Sequence, residues 1–475
     1  MQEKYLIRQE APQVPPYDAA QMAQGLGAQL ASFLFPLLVS LDAKLDKRLV
    51  RTFLQTIEVI IRFRDRANGL LLSELGGYLE TPDKAPAGTK RLSNLLRSCK
   101  WTAAIIEHFL WQRATQRLDE WQQSGEDGLA IWDESVLEKP ESQELEGLGP
   151  VRSSKAARLT HIKPGYYRPP GAPIFVPGMN WLAVLLVGRH AEQGPPLLAA
   201  MRWWSSRGGL ASFKRDEEAR LLIALAASWG RKVVHVFDQG FAGALWVGLL
   251  LAFSLRFVLR WRKDYQLLDD QGNRRKAWHI ARGKRGWSER TIWDSRRARW
   301  IQASVLALPV SHPDCPQTPL SLVVCRRPGQ EPWYLLTNEP VTNEEQAWQV
   351  VFAYARRWQI EQTWRYDKSE LAFQSPRLWR WENREKLLLM ASLAYAFLLT
   401  LLEPFYDLLR IWLLRQYCHR TGQHCRDAKA PLSRLRSALS RLWQQDPPNF
   451  ARHRPRRLAC TTGGDGQAFV RRAHR

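Results

Sequence analysis

The sequence has little that would place it among secreted or redox-active proteins. Its six cysteines are scattered without the paired spacing of a disulfide framework, and its first sixteen residues, MQEKYLIRQEAPQVPP, contain no apolar core of a signal peptide. We therefore expect a reduced protein of the cytoplasm. One cluster, Cys418-His419-x4-His424-Cys425, has zinc-ligand residue types. Four ligands within eight residues do not match the usual paired spacing of zinc sites, so metal binding at this cluster is left open.

Long apolar runs and nucleotide-binding glycine motifs are also lacking. The apolar runs 240–255 and 387–402 are shorter than the roughly 20 residues that a membrane span needs, and charged sequence flanks both. They are predicted to be helices buried against a sheet, and a membrane is not an expected partner, although these two runs leave a polytopic membrane protein as an alternative. Neither GxGxxG nor GxxxxGK occurs, which argues against ATP chemistry.

Acidic residues are scarce relative to basic ones. There are 69 Lys and Arg against 46 Asp and Glu, a formal net charge of +23. Such a surplus indicates a polyanionic partner, and without a basic amphipathic anchor the best candidate is nucleic acid rather than a membrane surface. The 22 tryptophans are numerous. Their rings suit both stacking on unpaired bases and packing in a core.

Hydrophobic periodicity and composition divide the chain into five segments, of which the first four are described here and the last, 406–475, below. Residues 1–125 are predicted to form an N-terminal helical DNA-binding domain. Short β-branched and aromatic runs follow in 126–263, the first part of a catalytic domain, and a helical pattern marks its second part, 333–405. Between them, 264–332 indicates an inserted β-rich subdomain, with ten Lys and Arg against two acids from Arg274 to Arg299. The fold class predicted is α/β: a mixed sheet with flanking helices.

Two basic segments lie outside the predicted catalytic domain. In the helical segment 88–97, Lys90, Arg91, Asn94 and Arg97 fall close together, as on a DNA-contacting helix or equally on a solvated basic face. The C-terminal region 406–475 has 15 basic and 3 acidic residues from position 408 onward. It is predicted to contact DNA, to serve in dimerisation, or to be partly disordered.

Three acidic residues have suggestive positions. Asp133 is placed at the end of the predicted strand Leu129–Asp133, and Asp238 at the end of Val233–Asp238. Catalytic groups in sheet-based folds favour such strand ends. The third acid, Glu361, lies in the run Tyr354-x2-Arg357-x3-Glu361-x6-Lys368. At 100° per residue, these four side chains fall within about 60° of one another on one helix face.

The chemistry of phosphodiester cleavage explains these residue types. Two divalent ions activate the attacking oxygen and stabilise the leaving oxygen, and three converging carboxylates can hold both ions. Arg357 and Lys368 beside the acid suit the phosphates of the scissile strand. Each element has a plainer interpretation, a salt-bridged surface helix or a capping aspartate, so the prediction depends on all three acids occurring together.

The spacing Tyr354, Arg357, Glu361 and Lys368 resembles the signature of the cut-and-paste insertion-sequence transposases of family four. The stretches IWDESVLEKPES around Asp133 and VFDQGF around Asp238 are similar to that family's first and second aspartate motifs, and the resemblance spans roughly residues 129 to 405. It implies an RNase H-like catalytic domain with a β-rich insertion. Gln239 departs from the family, in which Arg often follows the second aspartate.

The resemblance also implies the function and its residues. Asp133, Asp238 and Glu361 would be the catalytic triad holding two Mg²⁺ or Mn²⁺ ions, and Tyr354, Arg357 and Lys368 would contact DNA. The expected partners are double-stranded DNA, as element ends and target, and a second copy of the chain in a homodimeric synaptic complex, located with the nucleoid. Nicking, strand transfer and a hairpin intermediate follow for such an enzyme.

In the same family, a tryptophan receives a base flipped from the element end. The corresponding residue here is Trp333, with core packing or a substitute role of Tyr334 as alternatives. A further alternative for the whole chain is a catalytically inactive descendant that only binds DNA, as a repressor or architectural protein.

Overall fold

The computed structural model describes residues 17–140, 142, 144–153, 174–208, 211–294, 299–418 and 432–450. The chain forms two compact units that alternate along the sequence. Unit 1 takes in residues 1–110, 137–148 and 365–475, and unit 2 takes in 111–136 and 149–364. Each unit is therefore assembled from segments that are far apart in the sequence.

The α-helices of the described residues, in chain order, are α1 (Ala19–Asp42), α2 (Lys47–Arg62), α3 (Leu72–Leu79), α4 (Ala85–Arg97), α5 (Ala104–Gln123), α6 (Lys214–Trp229), α7 (Ala244–Ala252), α8 (Ala277–Ala281), α9 (Glu344–Ala355), α10 (Trp358–Ser369), α11 (Trp381–Thr400), α12 (Asp407–Tyr417) and α13 (Leu432–Gln445). The apolar periodicity that predicts helices before residue 125 and after residue 343 is confirmed by this order.

The strands are β1 (Gly128–Glu138), β2 (Gly149–Arg152), β3 (Phe175–Gly188), β4 (Leu197–Trp204), β5 (Val233–Phe237), β6 (Arg256–Arg260), β7 (Gln266–Leu268), β8 (Arg274–Lys276), β9 (Ser288–Asp294), β10 (Arg299–His312), β11 (Cys315–Arg326) and β12 (Trp333–Thr337). The predicted mixed α/β architecture is confirmed, with helices both before the sheet and around it.

Helix α2 is central to unit 1. It packs against α1, α4, α11 and α13. Its first turn is capped by the Asp46 carboxylate, which accepts hydrogen bonds from the backbone N–H groups of Arg48 and Leu49 at 2.8 and 3.0 Å. At its other end, buried Arg436 donates to the carbonyl oxygens of Ile60 and Phe63 at 2.6 and 2.9 Å. A residue near the C-terminal end of the described chain thus satisfies the last carbonyls of an early helix.

The described part of the basic C-terminal region belongs to this helical unit. On α13, the buried side chains Leu435, Leu439, Leu442 and Trp443 face the interior, and the Trp443 indole donates to the Ala23 carbonyl oxygen at 3.2 Å. Composition alone does not reveal this packing, because the basic residues of an amphipathic helix dominate a simple count and its apolar stripe is not apparent.

Unit 2 is built on one continuous sheet, with strand order β2-β3-β1-β5-β6-β12-β11-β10-β7-β8 and with β4 also paired to β3 and β9 to β10. Strands β1, β5 and β6 are parallel. The segment 264–332 is largely β, as predicted, but it is not a sheet of its own: β12 joins β6 on one side and β11 on the other. Backbone pairing therefore connects the predicted insertion to the preceding strand β6 through β12.

The two apolar runs differ in what they pack against. In the first run, α7 is only nine residues long and buries Trp246, Val247 and Leu250 against the sheet, as predicted. The second lies mostly in α11, which is buried among the helices α2, α4 and α13, so a sheet as its packing partner was a wrong prediction. By length and hydropathy α1 could cross a membrane, as could the bent pair α11 and α12, and core helices of soluble proteins pass the same test.

Candidate active site

Two of the three predicted acids come from adjacent parallel strands. The register of β1 with β5 pairs Leu129 with Val234 and Ile131 with Val236. Continued by two residues, it places Asp133 opposite Asp238. Asp238 follows β5 directly, but Asp133 lies inside β1, which continues to Glu138, so its predicted place at a strand end was wrong. The strand continues because the residues after Asp133 keep extended pairing that a local motif does not reveal.

The signature run is divided by a turn. Tyr354 is in the last turn of α9, Arg356 and Arg357 form the turn, and Glu361 is in the first turn of α10. The single continuous helix expected from the spacing was therefore wrong. Backbone bonds from Arg357 to Tyr354 and from Ile360 to Arg357, each spanning three residues, replace the usual four-residue pattern. The turn still leaves Tyr354, Arg357 and Glu361 on the same side.

Arg357 contacts all three acids. Its Nη1 lies 3.7 Å from Asp133 Oδ2 and its Nε lies 3.8 Å from Asp238 Oδ1, and it forms a close ion pair with Glu361. Its side chain is 13% exposed, whereas the carboxylates of Asp238 and Glu361 are about one-third exposed. The predicted triad is therefore assembled around one guanidinium, with Asp238 and Glu361 partly open to solvent and Asp133 more buried.

Two further hydrogen bonds orient the aspartates. The Tyr354 hydroxyl donates to Asp238 Oδ1 at 3.0 Å, and the Trp364 indole Nε1 donates to Asp133 Oδ2 at 3.0 Å. Trp364 is a residue of this candidate site that the sequence reasoning missed. Its spacing of three residues after Glu361 puts it beside that residue on α10, so extending the helix face by one turn would have identified it.

Burial shapes the protonation of the site. It raises the pKa of Asp133 to about 6, although the charge of Arg357 and the Trp364 hydrogen bond act in the opposite direction. Burial likewise raises the pKa of the Tyr354 hydroxyl to about 12, so this group remains a hydrogen-bond donor at neutral pH. Burial alone would lower the pKa of Arg357, but the surrounding Tyr354 and the three acids raise it overall, so this group stays cationic.

The donor set fits a hard divalent cation in its chemistry. Three carboxylates surround Arg357, and carboxylate oxygens are the ligands that Mg²⁺ and Mn²⁺ prefer. Over the described ranges, no three His, Cys, Asp or Glu side chains are grouped closely enough to be a ready-made metal site. In this conformation the guanidinium of Arg357 is the cation that the three acids share.

The acid next to Asp133 has a different role. Glu134 forms a close ion pair with Lys214, whose Nζ is also 3.6 Å from the buried Glu218. Burial raises the pKa of Glu134 to about 7, against the lowering effect of Lys214. Successive strand residues point to opposite faces, which separates Glu134 from the site that Asp133 enters. Gln239, the departure from the family pattern, begins a short 3₁₀ turn directly after Asp238.

Trp333 lies beside the signature residues. Its ring meets that of Tyr354 edge to face at a centroid distance of 4.9 Å, and the Arg327 guanidinium lies 3.9 Å from its centroid. The side chain is half-buried, so it is accessible in part. Tyr334, the alternative base acceptor, is buried in the core cluster beneath the sheet, which favours Trp333 for that predicted role.

The remaining predicted residues lie in or near the helical unit. Lys90 and Arg97 are exposed on α4, but Arg91 is paired with Glu80 and donates to Gln55 at 2.9 Å, so its guanidinium is engaged inside the unit and the free DNA-contacting role predicted for it is not supported. Lys368 lies in the last turn of α10. Of the Cys418–Cys425 cluster only the buried Cys418 lies within the described residues.

Comparisons with known proteins show a likeness to transposases. Residues 215–397 match the family model described as a transposase DDE domain. This match includes Asp238 and Glu361 and begins after Asp133, and such a domain implies phosphoryl-transfer chemistry. A solved structure of a piggyBac transposase synaptic complex with hairpin DNA aligns over 97% of this chain and 87% of that chain, at 11% identity and a TM-score of 0.42. No curated protein sequence matches the chain.

Proposed function

We propose that the protein is a cut-and-paste DNA transposase that binds the terminal inverted repeats of a mobile element, nicks them and transfers the freed strands. The observation that carries the proposal is the meeting of Asp133, Asp238 and Glu361 at Arg357, from two parallel strands and a helix. A protein that only binds DNA has no need for three converging carboxylates in a partly exposed cleft. The match of residues 215–397 to the transposase DDE domain supports the same reaction class.

The catalytic sheet supports an RNase H-like core. Its strands run in the order β4-β3-β1-β5-β6, with β3 and β4 antiparallel and β1, β5 and β6 parallel. The first two acids come from the central pair of this set. A rigid sheet holds them at fixed separation, as a two-ion phosphoryl-transfer site requires.

Each site residue then has a distinct task. Asp133, Asp238 and Glu361 would hold two Mg²⁺ or Mn²⁺ ions, which activate the attacking oxygen and stabilise the leaving oxygen. Tyr354 keeps its proton and orients Asp238 through their hydrogen bond. Arg357 would contact the phosphate of the scissile strand, because a guanidinium binds phosphate oxygens bidentately, and Lys368 would add a point charge for the same strand.

The finer proposal is a hairpin pathway in a homodimer. Double-stranded DNA, as element ends and as target, would be the substrate, and two copies of the chain would bring the ends together near the nucleoid. Trp333 supports the hairpin step, since a partly accessible indole beside Tyr354 can stack on an extruded base.

The decisive experiment uses a supercoiled plasmid that carries a marker between the DNA segments flanking the coding region. We expect wild-type protein with Mg²⁺ to nick both ends and join them to a second plasmid. Asp133→Asn, Asp238→Asn and Glu361→Gln should each lower cleavage by roughly a thousandfold or more while electrophoretic mobility shifts show near-normal end binding, because the acids hold metal and not DNA.

The matched control is Glu134→Gln, which removes a carboxylate one residue from Asp133 but outside the triad. It should cleave at a rate close to wild type. A triad variant that cleaves normally would remove that residue from the site. If wild-type protein binds the ends and never cuts them, the repressor or architectural alternative is correct.

A further inference from the structure

Helices α3 and α4 cross at very close range. Five residues, 80–84, join them. At the crossing, a Cβ on Gly76 would lie 2.5 Å from the Thr89 nitrogen, and a Cβ on Gly88 would overlap the Gly76 carbonyl oxygen. The Thr89 hydroxyl donates to the Leu72 carbonyl oxygen at 3.1 Å across the same contact. Two short helices joined by a tight turn and packed at their backbones make a helix-turn-helix arrangement.

The inner face of α4 is firmly held. Leu92, Leu95 and Leu96 are buried. The Lys386 ammonium donates to the carbonyl oxygens of Leu96 and Ser98 at 3.1 and 3.0 Å, which completes the C-terminal end of the helix. Arg91 ties the side of α4 to Glu80 and to Gln55 of α2. These contacts fix the orientation of α4 within the helical unit.

The outer face of α4 has a composition suited to DNA. Its exposed residues form a stripe at helical spacing: Pro86, Ala87, Lys90, Asn94 and Arg97. The helix contains no acidic residue, and in the part of the chain that the structure describes neither Lys90 nor Arg97 has an ion pair. Small residues at the start of the stripe permit close approach of the helix, and an amide follows between two cations.

We propose that α4 is the recognition helix of this helix-turn-helix and enters the major groove of duplex DNA. Lys90 and Asn94 would face base edges, where an asparagine amide matches adenine and an ammonium matches guanine, and Arg97 would contact a phosphate. The positive stripe is complementary to the groove and its flanking phosphates. The inference deepens the proposed function, because it names the element that reads the sequence of the DNA.

The test is a selection from duplexes with a randomised core, using the full-length chain, followed by titration of the selected duplex. Wild-type protein should enrich one motif. Lys90→Ala and Asn94→Ala should each lose the base preference at a few positions of that motif and weaken its binding by about tenfold. Arg97→Ala should weaken binding to all duplexes alike and make the salt dependence shallower by about one counterion.

Lys47→Ala is the matched control, since it removes one exposed charge from the start of α2. It should change neither motif nor affinity, and thermal melting of every variant verifies folding of the full chain. If Lys90→Ala and Asn94→Ala select the wild-type motif with wild-type affinity, or if wild-type protein selects no motif, α4 is not the reader. Retention of the motif by an Asp238→Asn chain supports reading by α4 even where cleavage fails, so the two proposals fail separately.

Discussion

At the scale of single residues, the indole of Trp364 limits how Asp133 can turn. It donates to Asp133 Oδ2 and packs edge to face on Trp181 at 4.1 Å, and Trp181 in turn stacks on Trp203. Trp364→Phe keeps an aromatic ring but removes the donor. We expect cleavage to fall by about 10- to 100-fold and the Mn²⁺ concentration needed for half-maximal rate to rise, as for other groups that orient metal ligands.

Trp203→Phe provides the control for that change. It makes the same substitution in the same aromatic row, and the Trp203 indole N–H has no hydrogen-bond partner among the described residues. Its Mn²⁺ dependence should match wild type. Equal effects of the two substitutions would mean that Trp364 acts by packing alone.

Trp333 gives a second prediction at this scale. If a flipped base stacks on its indole, Arg327 must give up part of the face that it covers. Trp333→Ala should still make the first nick but form the hairpin poorly, because an extruded base loses about 1 to 3 kcal/mol of stacking. A substrate with an abasic site at the flipped position should partly restore hairpin formation, as followed on denaturing gels. Loss of soluble protein, or of all steps together, would assign Trp333 to core packing.

For single residues, the sequence predicts which side chains belong to the candidate site better than it predicts the partners of each side chain. The spacing of Tyr354, Arg357 and Glu361 identifies residues that the structure does bring together with both aspartates. It could not identify the pairing of Arg91, because the partners Glu80 and Gln55 are supplied by other segments of the chain. A basic helix face looks the same in sequence whether its charges are paired or free.

At the scale of elements, a partly buried network of ion pairs joins the ends of four strands. Glu339, after β12, pairs with Arg256 at the start of β6 and with Arg189 after β3, and Asp127 before β1 pairs with the same arginines. Glu339→Gln leaves both guanidinium groups short of a counter-charge. We expect a loss of about 3 kcal/mol in the free energy of unfolding, measured by denaturant titration.

The control for Glu339→Gln is Glu331→Gln, which breaks the exposed pair with Lys263 and should cost about 1 kcal/mol or less of the free energy of unfolding.

The stabilisation that Glu339 contributes should depend on pH in a defined direction. Burial alone would raise the pKa of Glu339, but hydrogen bonds and charge from Arg256 and Arg189 lower it overall. A carboxyl with a lowered folded-state pKa stabilises the fold above its ordinary pKa and loses that contribution as the pH falls, so the difference between wild type and Glu339→Gln should shrink below about pH 4.5.

The elements themselves could be predicted where the signal is local, and their connections could not. The short β-branched and aromatic runs of β5 and β6 predict both strands correctly. That β12 would join β6, and so merge the inserted segment with the main sheet, depends on pairing between residues about 80 positions apart. The break between α9 and α10 was missed for another reason. The two residues of this turn, Arg356 and Arg357, are neither Gly nor Pro, the residue types that usually mark a turn in a sequence.

At the scale of the whole molecule, truncation of the C-terminal region can distinguish residues that contribute positive charge for DNA binding from residues that the fold requires. Ending the chain after Phe450 removes seven arginines and one aspartate but none of the described helices. We expect the Tm to be unchanged and the decline of DNA affinity with salt to become shallower, by about 0.9 in log–log slope for each lost phosphate contact. Ending the chain after Cys418 also removes α13, with buried Arg436 and Trp443, and should unfold unit 1. An unchanged slope after the first truncation would show that those arginines do not contact DNA.

The hydrogen bonds from Arg436 to the end of α2 also determine when the helical unit can be completed during synthesis of the chain. The two ends of that bond, Arg436 and Ile61, are 375 residues apart. A ribosome that adds about 5 to 20 residues per second needs roughly 20 to 75 s to deliver the arginine after the helix has been made. Until then the last carbonyls of α2 lack their partner and the apolar face that α13 covers is exposed. The helical unit thus lacks this contact until residue 436 has been made.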